Sequence, residues 1–147
     1  MADTIAVFVA HPDDEVLGCG GSIAKWSDAG NKVHVIILAE GTTSRDPKRD
    51  RELRAKELSG LAQAAETAGS ILGVESIQIS DFPDNRMDSI DRLDVIKDIE
   101  KQILRLKPNI VVTHHSGDVN IDHRIIHEAV VTACRPQPKN TVKCLMA

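Results

Sequence analysis

Ile5-Ala6-Val7-Phe8-Val9-Ala10-His11-Pro12-Asp13-Asp14-Glu15, followed by Leu17-Gly18-Cys19-Gly20-Gly21, is the stretch on which the reading of this chain turns. Residues 4–10 are short, apolar and rich in β-branched side chains, the pattern of a strand buried on both faces. That strand runs directly into a histidine, a proline, three consecutive acids and a cluster of glycines. Adjacent carboxylates repel one another and add nothing to a core. A positive partner, most simply a metal ion, gives them a purpose. Pro12 fixes its own φ and keeps His11 extended, which stiffens the turn. In a tight turn, the i, i+3 spacing of His11 and Asp14 lets both converge on one ion, while Asp13 points elsewhere, toward water.

Outward from this stretch, strand and helix patterns alternate. Residues 18–29 predict a helix with Ile23, Ala24 and Trp26 facing inward and Gly30 as its stop. Residues 33–39 predict a second buried strand, followed by a polar loop over 40–47. A long helix is expected over 48–72, charged in its first half, alanine-rich in its second and closed by Gly73. Residues 74–79 predict a third strand and 81–88 a loop. Ile90, Leu93, Ile96, Ile99, Ile103 and Leu106 recur at helical spacing within 89–106. Residues 110–113 predict a fourth strand, ending in His114-His115. Asp122 is the expected N-cap of a helix that runs to Cys134, and 141–147 predict a fifth strand. This βαβαβαβαβ order predicts an α/β fold: a doubly wound, mainly parallel sheet of about five strands with helices on both faces. One domain is expected over 1–147.

The chain has 147 residues, enough for a real core, with 41% hydrophobic and 27% charged residues. The net charge of −4, without a basic stripe, argues against a nucleic-acid partner. Phe8, Phe82 and Trp26 are the only aromatics, too few for base-stacking platforms. Cys19, Cys134 and Cys144 are odd in number and form no Cys-x-x-Cys, which excludes a disulfide framework and suits a reducing cytosol. The first residues lack the basic and apolar regions of a signal peptide, and no apolar run reaches membrane-spanning length. A cytoplasmic location is expected.

In doubly wound folds, ligands sit at the carboxyl ends of the strands. The polar clusters at 11–15, 40–46, 81–88 and 114–123 all fall there. His123, at the start of the last helix, is the best third ligand to join His11 and Asp14. Two nitrogens, one carboxylate oxygen and an open position make a catalytic zinc site, with Asp13 as general base. Blander readings stand beside this one. The first loop also reads as a solvated turn capping a helix, a reading that the second His/Asp cluster at a neighbouring strand end disfavours. His123 and His127, at i, i+4, can pair on a metal, although the place of His127 in an amphipathic helix favours packing. His34 is structural, and of His114 and His115 one reaches the crevice while the other packs. Gly18-Cys19-Gly20-Gly21 is no dinucleotide fingerprint, because position 23 is Ile, and no phosphate-loop Gly-Lys-Ser/Thr is present. Cys19 among the glycines reads as a small residue rather than a nucleophile.

Ala10-His11-Pro12-Asp13-Asp14-Glu15 with Gly18-x-Gly20-Gly21, together with Asp118-Val119-Asn120-Ile121-Asp122-His123-Arg124, resembles the PIG-L/LmbE-like zinc-dependent N-deacetylases. The likeness extends over nearly the whole chain, including residues 81–86 and Arg135-Pro136. It implies a Rossmann-like fold and removal of acetyl groups from N-acetylglucosamine-type sugars and related amides. It implies that His11, Asp14 and His123 bind Zn2+, that Asp13 is the general base, and that the 81–88 loop contacts the sugar through Arg86 and Asp88.

Three departures stand out. Many members carry a histidine three residues before the metal histidine, where this chain has Asn120, so oxyanion stabilisation is expected from Asn120 or from His114 or His115. The family's Arg-x-x-Glu falls on Leu61 and Ala64 here, while Arg54 and Glu57 carry the pattern two turns earlier. The family also continues beyond a fifth strand, so an open pocket and self-association into a homo-oligomer through uncovered apolar surface are expected. The alternatives are a non-catalytic metal-binding fragment of the same fold and a nucleotide-binding domain.

Overall fold

The computed structural model describes residues 2–147. The expected parallel α/β sheet is what the chain forms. Its five strands are β1 (Thr4–Val9), β2 (Lys32–Ala39), β3 (Ser76–Phe82), β4 (Ile110–Val112) and β5 (Cys144–Met146). They lie in the order β3-β2-β1-β4-β5, every neighbouring pair parallel. β1 is central: Ile5 lies opposite Val33 on one side and Ile110 on the other.

The four helices are α1 (Asp14–Asp28), α2 (Ala55–Leu72), α3 (Arg92–Leu106) and α4 (Ile121–Ala133). Alternate residues of β1 serve opposite layers. Ala6, Phe8 and Ala10, with Ile36 and Leu38, pack on Val95 and Ile99 of α3 and on Ile126 and Val130 of α4. Ile5, Val7 and Val9, with Val35 and Ile37, pack on Ile23 of α1 and Ala65 of α2. Both faces of β1 are therefore covered, which is why its sequence is an unbroken apolar run. Each of its largest side chains, Ile5 and Phe8, gains about 1.5–3 kcal/mol from leaving water. From β1 the chain winds to β2 on one side, while β4 lies on the other. The loops after β1 and β4 part at this reversal, and a crevice opens at their carboxyl ends.

Several boundaries differ from expectation for physical reasons. α1 begins at Asp14, not at residue 18, so Asp14 and Glu15 occupy its first turn, where the positive end of the helix dipole favours acids. The glycine cluster lies inside this helix, which is interrupted at Cys19 (φ −145°, ψ 19°). α2 begins at Ala55 rather than residue 48. The preceding arginines turn back to the nearly buried Glu40 at the end of β2, with Nε of Arg49 and of Arg51 each 2.7 Å from its carboxylate. Releasing that carboxylate to form one more helical turn would leave a buried charge unpaired. β3 extends to Phe82, so Asp81 and Phe82 belong to the strand rather than to the following loop. α4 is capped by Asn120, not Asp122: its side-chain oxygen accepts from the backbone N–H of Asp122 at 2.9 Å and of His123 at 3.4 Å. Asp122 is thereby freed to turn inward. Among the described residues, no helix is long and apolar enough to cross a membrane.

Candidate metal centre

The first loop is held by its own backbone. The His11 N–H donates to Asp14 Oδ2 at 2.8 Å, and the Asp14 N–H donates to the His11 carbonyl at 3.2 Å. The Asp13 carbonyl accepts from Val16 N–H and Leu17 N–H, starting the helix. The Asp13 N–H donates to Glu15 Oε2 at 3.1 Å, and Glu15 is 2% exposed. Glu15 thus supports the loop from beneath. Asp13 itself sits at φ 144°, a conformation that costs a non-glycine residue about 1–3 kcal/mol and that these bonds hold in place. Its carboxylate is exposed and, among the described residues, makes no side-chain hydrogen bond.

Three imidazoles surround Asp14 Oδ2: His11 Nδ1 at 3.5 Å, His123 Nε2 at 3.2 Å and His114 Nε2 at 3.7 Å. In two of the three rings the other nitrogen is held by a carboxylate. His11 Nε2 is 3.0 Å from Asp122 Oδ2 and 3.3 Å from Asp84 Oδ1. His123 Nδ1 is 3.0 Å from Asp118 Oδ2. A carboxylate behind each imidazole fixes the ring and leaves its opposite nitrogen to bind a metal. Donor atoms of His11, Asp14 and His123 all lie within 4.8 Å of one another, so this group can hold a metal ion. The donor set of two imidazole nitrogens and one carboxylate oxygen suits zinc.

Electrostatics agree. Burial alone would lower the His11 pKa, but its hydrogen bonds with Asp122 and Asp14 overcome this and raise it to about 10. Burial would raise Asp14, yet hydrogen bonds from His11 and His123 hold it far below the ordinary carboxylate range. His123 is raised in the same way as His11: burial opposes, Asp14 and Asp118 prevail. The site draws protons to itself because it gathers more negative than positive groups, the condition that a divalent cation relieves. Asp13 is raised by burial and by the charge of Asp14.

The remaining sequence candidates fall as follows. His114 is partly buried at the crevice, its Nε2 accepting the Ala10 N–H at 2.8 Å and its ring stacked on His123 at 3.8 Å. Burial and the neighbouring His123 push it down to about 4, so it is neutral. His115 does not pack; it is exposed, because the Gly117 N–H binds its Nδ1 and turns the ring outward. His127 does not face the metal donors: its Nδ1 lies 2.7 Å from the His114 carbonyl. His34 is structural, bonded to Ser76 at 2.7 Å. Asn120 donates from Nδ2 to Asn85 Oδ1 at 2.9 Å while it caps α4. Arg86 reaches back across the cleft wall to the carbonyls of Asp46 and Pro47, and Asp88 is exposed in a short turn, Met87–Ser89. Arg54 bridges Asp46 and Glu57, whereas Leu61 lines the cleft beside Pro12 and Asp13. The Cys19 thiol, pushed up to about 11 chiefly by burial, is no nucleophile.

Asp84, Asp118 and Asp122 escape the sequence reading as histidine holders. For Asp122 a signal exists. Asn120 is as good an N-cap, and placing the cap there puts Asp122 in the first helical turn. Nothing in the sequence points Asp84 toward His11.

A family model described as PIG-L, GlcNAc-PI de-N-acetylase, matches residues 6–134. The chain is 29% identical over 134 residues to the uncharacterized deacetylase YaiS of Escherichia coli K12, covering 88% of this chain and 67% of that protein. It is 34% identical over 104 residues to diacetylchitobiose deacetylase of Thermococcus kodakarensis, covering 69% of this chain and 37% of that protein. Among solved structures, GalB, the 4-carboxy-2-hydroxymuconate hydratase of Pseudomonas putida KT2440, has a TM-score of 0.78 at 24% identity, over 95% of this chain and 62% of that one. The chain thus spans from 37% to 67% of the length of these proteins, and the likeness to the hydratase concerns the fold alone. With the two sequence motifs meeting in one cleft and the family model matching most of its residues, the chain belongs to the PIG-L, or GlcNAc-PI de-N-acetylase, family.

Proposed function

We propose that this chain, as one domain over 1–147, is the metal-holding part of a zinc-dependent hydrolase that removes the acetyl group from an N-acetylglucosamine-type conjugate. The observation that carries this reading is the convergence of His11, Asp14 and His123 beside a free Asp13 carboxylate. A bound zinc ion supplies Lewis acidity toward the acetyl carbonyl and acidifies water.

The chain supplies the rest. Asp13 takes a proton from the attacking water and returns it to the leaving amine; its raised pKa suits both duties. Asn120, through the amide hydrogen not engaged by Asn85, and neutral His114, through the Nδ1–H left when its Nε2 accepts from Ala10, are the donors for the oxyanion. Asp88 contacts the sugar. Arg86 acts on the wall of the cleft, through the carbonyls that it binds. Free cysteines suit a cytoplasmic setting, and exposed apolar side chains such as Leu17 suit a homo-oligomer.

The test pairs metal analysis with release of acetate from N-acetylglucosamine conjugates. Wild-type protein is expected to retain zinc and release acetate, and His11→Ala and His123→Ala to lose both. Zinc contents unchanged in both variants would refute the site. Zinc without acetate release would favour the non-catalytic reading. The fold also occurs in a hydratase, so the assay rather than the architecture decides the reaction.

Zinc affinity is expected to rise with pH. Below its raised pKa of about 10, His11 holds a proton that the metal must displace. Raising the pH removes that competitor, by up to about tenfold in affinity per pH unit for each proton released. Competition titration with a chelator at pH 6, 7 and 8 checks the sign; a flat or falling profile contradicts it.

A further inference from the structure

Two depressions meet at Asp13 and Leu61. One is the cleft already described, which Thr42, Ser44, Asp84 and Asn85 line with hydroxyl, carboxylate and amide groups. The other is a groove of about 350 Å³ between the start of α1 and the middle of α2, the size of a small-ligand site. Its walls are Val16 from α1 and Leu61, Ala64, Ala65 and Ala68 from α2, with Leu17, 80% exposed, at its rim. The short alanine side chains of α2 leave the space that longer ones would fill. Its ionisable linings are Asp13, on the shared edge, and Glu15, which is buried and engaged with the Asp13 N–H at 3.1 Å.

A ligand whose reacting bond lies at Asp13 therefore meets a polar surface on one side and an apolar one on the other. The hydroxyls of a sugar match the polar cleft. Across the scissile bond of an amide lies the acyl group, and an apolar groove favours its alkyl carbons. Acetyl brings a single methyl, whereas the groove has room for several methylenes.

From this we infer that the groove between α1 and α2 receives the alkyl chain of an N-acyl group longer than acetyl. The inference rests on the deacetylase reading and extends its substrates to amino sugars that carry short fatty-acyl amides. The reaction is a hydrolysis. The water oxygen bonds to the acyl carbon, the C–N bond breaks, and the proton that Asp13 takes passes to the amine. The products are a fatty carboxylate and a free amino sugar.

The test measures binding by calorimetry to the zinc-loaded full chain. The ligands are methyl glucosaminides bearing N-acetyl, N-butyryl or N-hexanoyl groups, and the hexyl glycoside of N-acetylglucosamine. A methylene fully removed from water gains about fourfold in affinity. In this open groove the N-hexanoyl ligand is expected to bind about ten- to thirtyfold more tightly than the N-acetyl one, with N-butyryl between them. Ala64→Glu and Val16→Ser, one on each wall and both at exposed positions, are expected to lower that ratio by about threefold or more. Equal binding across the N-acyl series, undetectable binding of all included, overturns the inference, as does a ratio unchanged in both variants. A hexyl glycoside that gains as much as the N-hexanoyl ligand assigns the groove to the aglycone and overturns it too. So does a dimer that Ala64→Glu dissociates, without any gain from chain length, because the groove then belongs to a second copy. Amine released from the N-acetyl but not from the N-hexanoyl ligand also counts against it. Failure of the deacetylase reading is separate: it appears as absence of free amine from every ligand, whatever their order of affinity.

Discussion

Asp13→Asn is expected to lower acetate release by about 10²–10⁴-fold while leaving zinc content and thermal stability near those of the wild type. The substitution keeps the size of the side chain and removes only its ability to take a proton. Asparagine matches aspartate in shape, so the strain at φ 144° is no greater in the variant than in the wild type. Every bond that holds residue 13 in place uses its backbone, which the change does not touch. Among the described residues the carboxylate has no side-chain partner, so its loss strands none. Activity falling together with zinc content would mean that residue 13 serves the metal rather than the proton. Full activity with zinc retained would remove Asp13 as the base.

Asp122 should give the largest loss of stability. It is fully buried, and its carboxylate accepts from Asn85 N–H at 2.7 Å and Met87 N–H at 3.1 Å, with His11 Nε2 at 3.0 Å. Asp122→Ala leaves the two backbone donors without this partner inside the protein, while His11 Nε2 keeps Asp84 Oδ1 at 3.3 Å. At about 1–3 kcal/mol for each stranded donor, a loss of about 3 kcal/mol or more in urea unfolding is expected. Asp122→Asn keeps one acceptor oxygen and the shape, so it should unfold closer to wild type. It removes the charge behind His11, however, and its zinc affinity is expected to drop by about 10–100-fold. An Asp122→Asn protein that binds zinc as tightly as wild type would show that Asp122 serves the fold alone.

These two residues illustrate where the sequence was informative. Asp13, His11 and Asp14 lie within about five positions of the end of β1, and local chemistry suffices to single them out. Adjacent acids after an apolar strand have no role in a core, and Pro12 restricts where they can point. Asp122 is equally local to His123 yet was read as a cap. The start of α4 offers two cap candidates, Asn120 and Asp122, and which of them caps depends on what lies inward. That neighbour is His11, 111 residues away. The start of α2 at Ala55 departs from the pattern of the sequence for a similar reason. Arg49, Arg51 and Arg54 suit a helix by propensity, but the buried Glu40 and the Asp46 carboxylate draw them into a loop.

By itself, the sequence determined the parallel sheet and the burial of β1 on both faces. Covering both faces of a strand demands an unbroken apolar run, and strands alternating with helices permit few other arrangements. It also determined which atoms are available to a metal. The tertiary structure alone decided how those atoms are held. Asp84 and Asp122 reach His11 only because the fold brings separate loops to one crevice, whereas Asp118 turns to the outer nitrogen of His123 within the single segment that leads into α4. Hydrogen-bond partners supplied across such distances leave no periodicity or spacing in the chain.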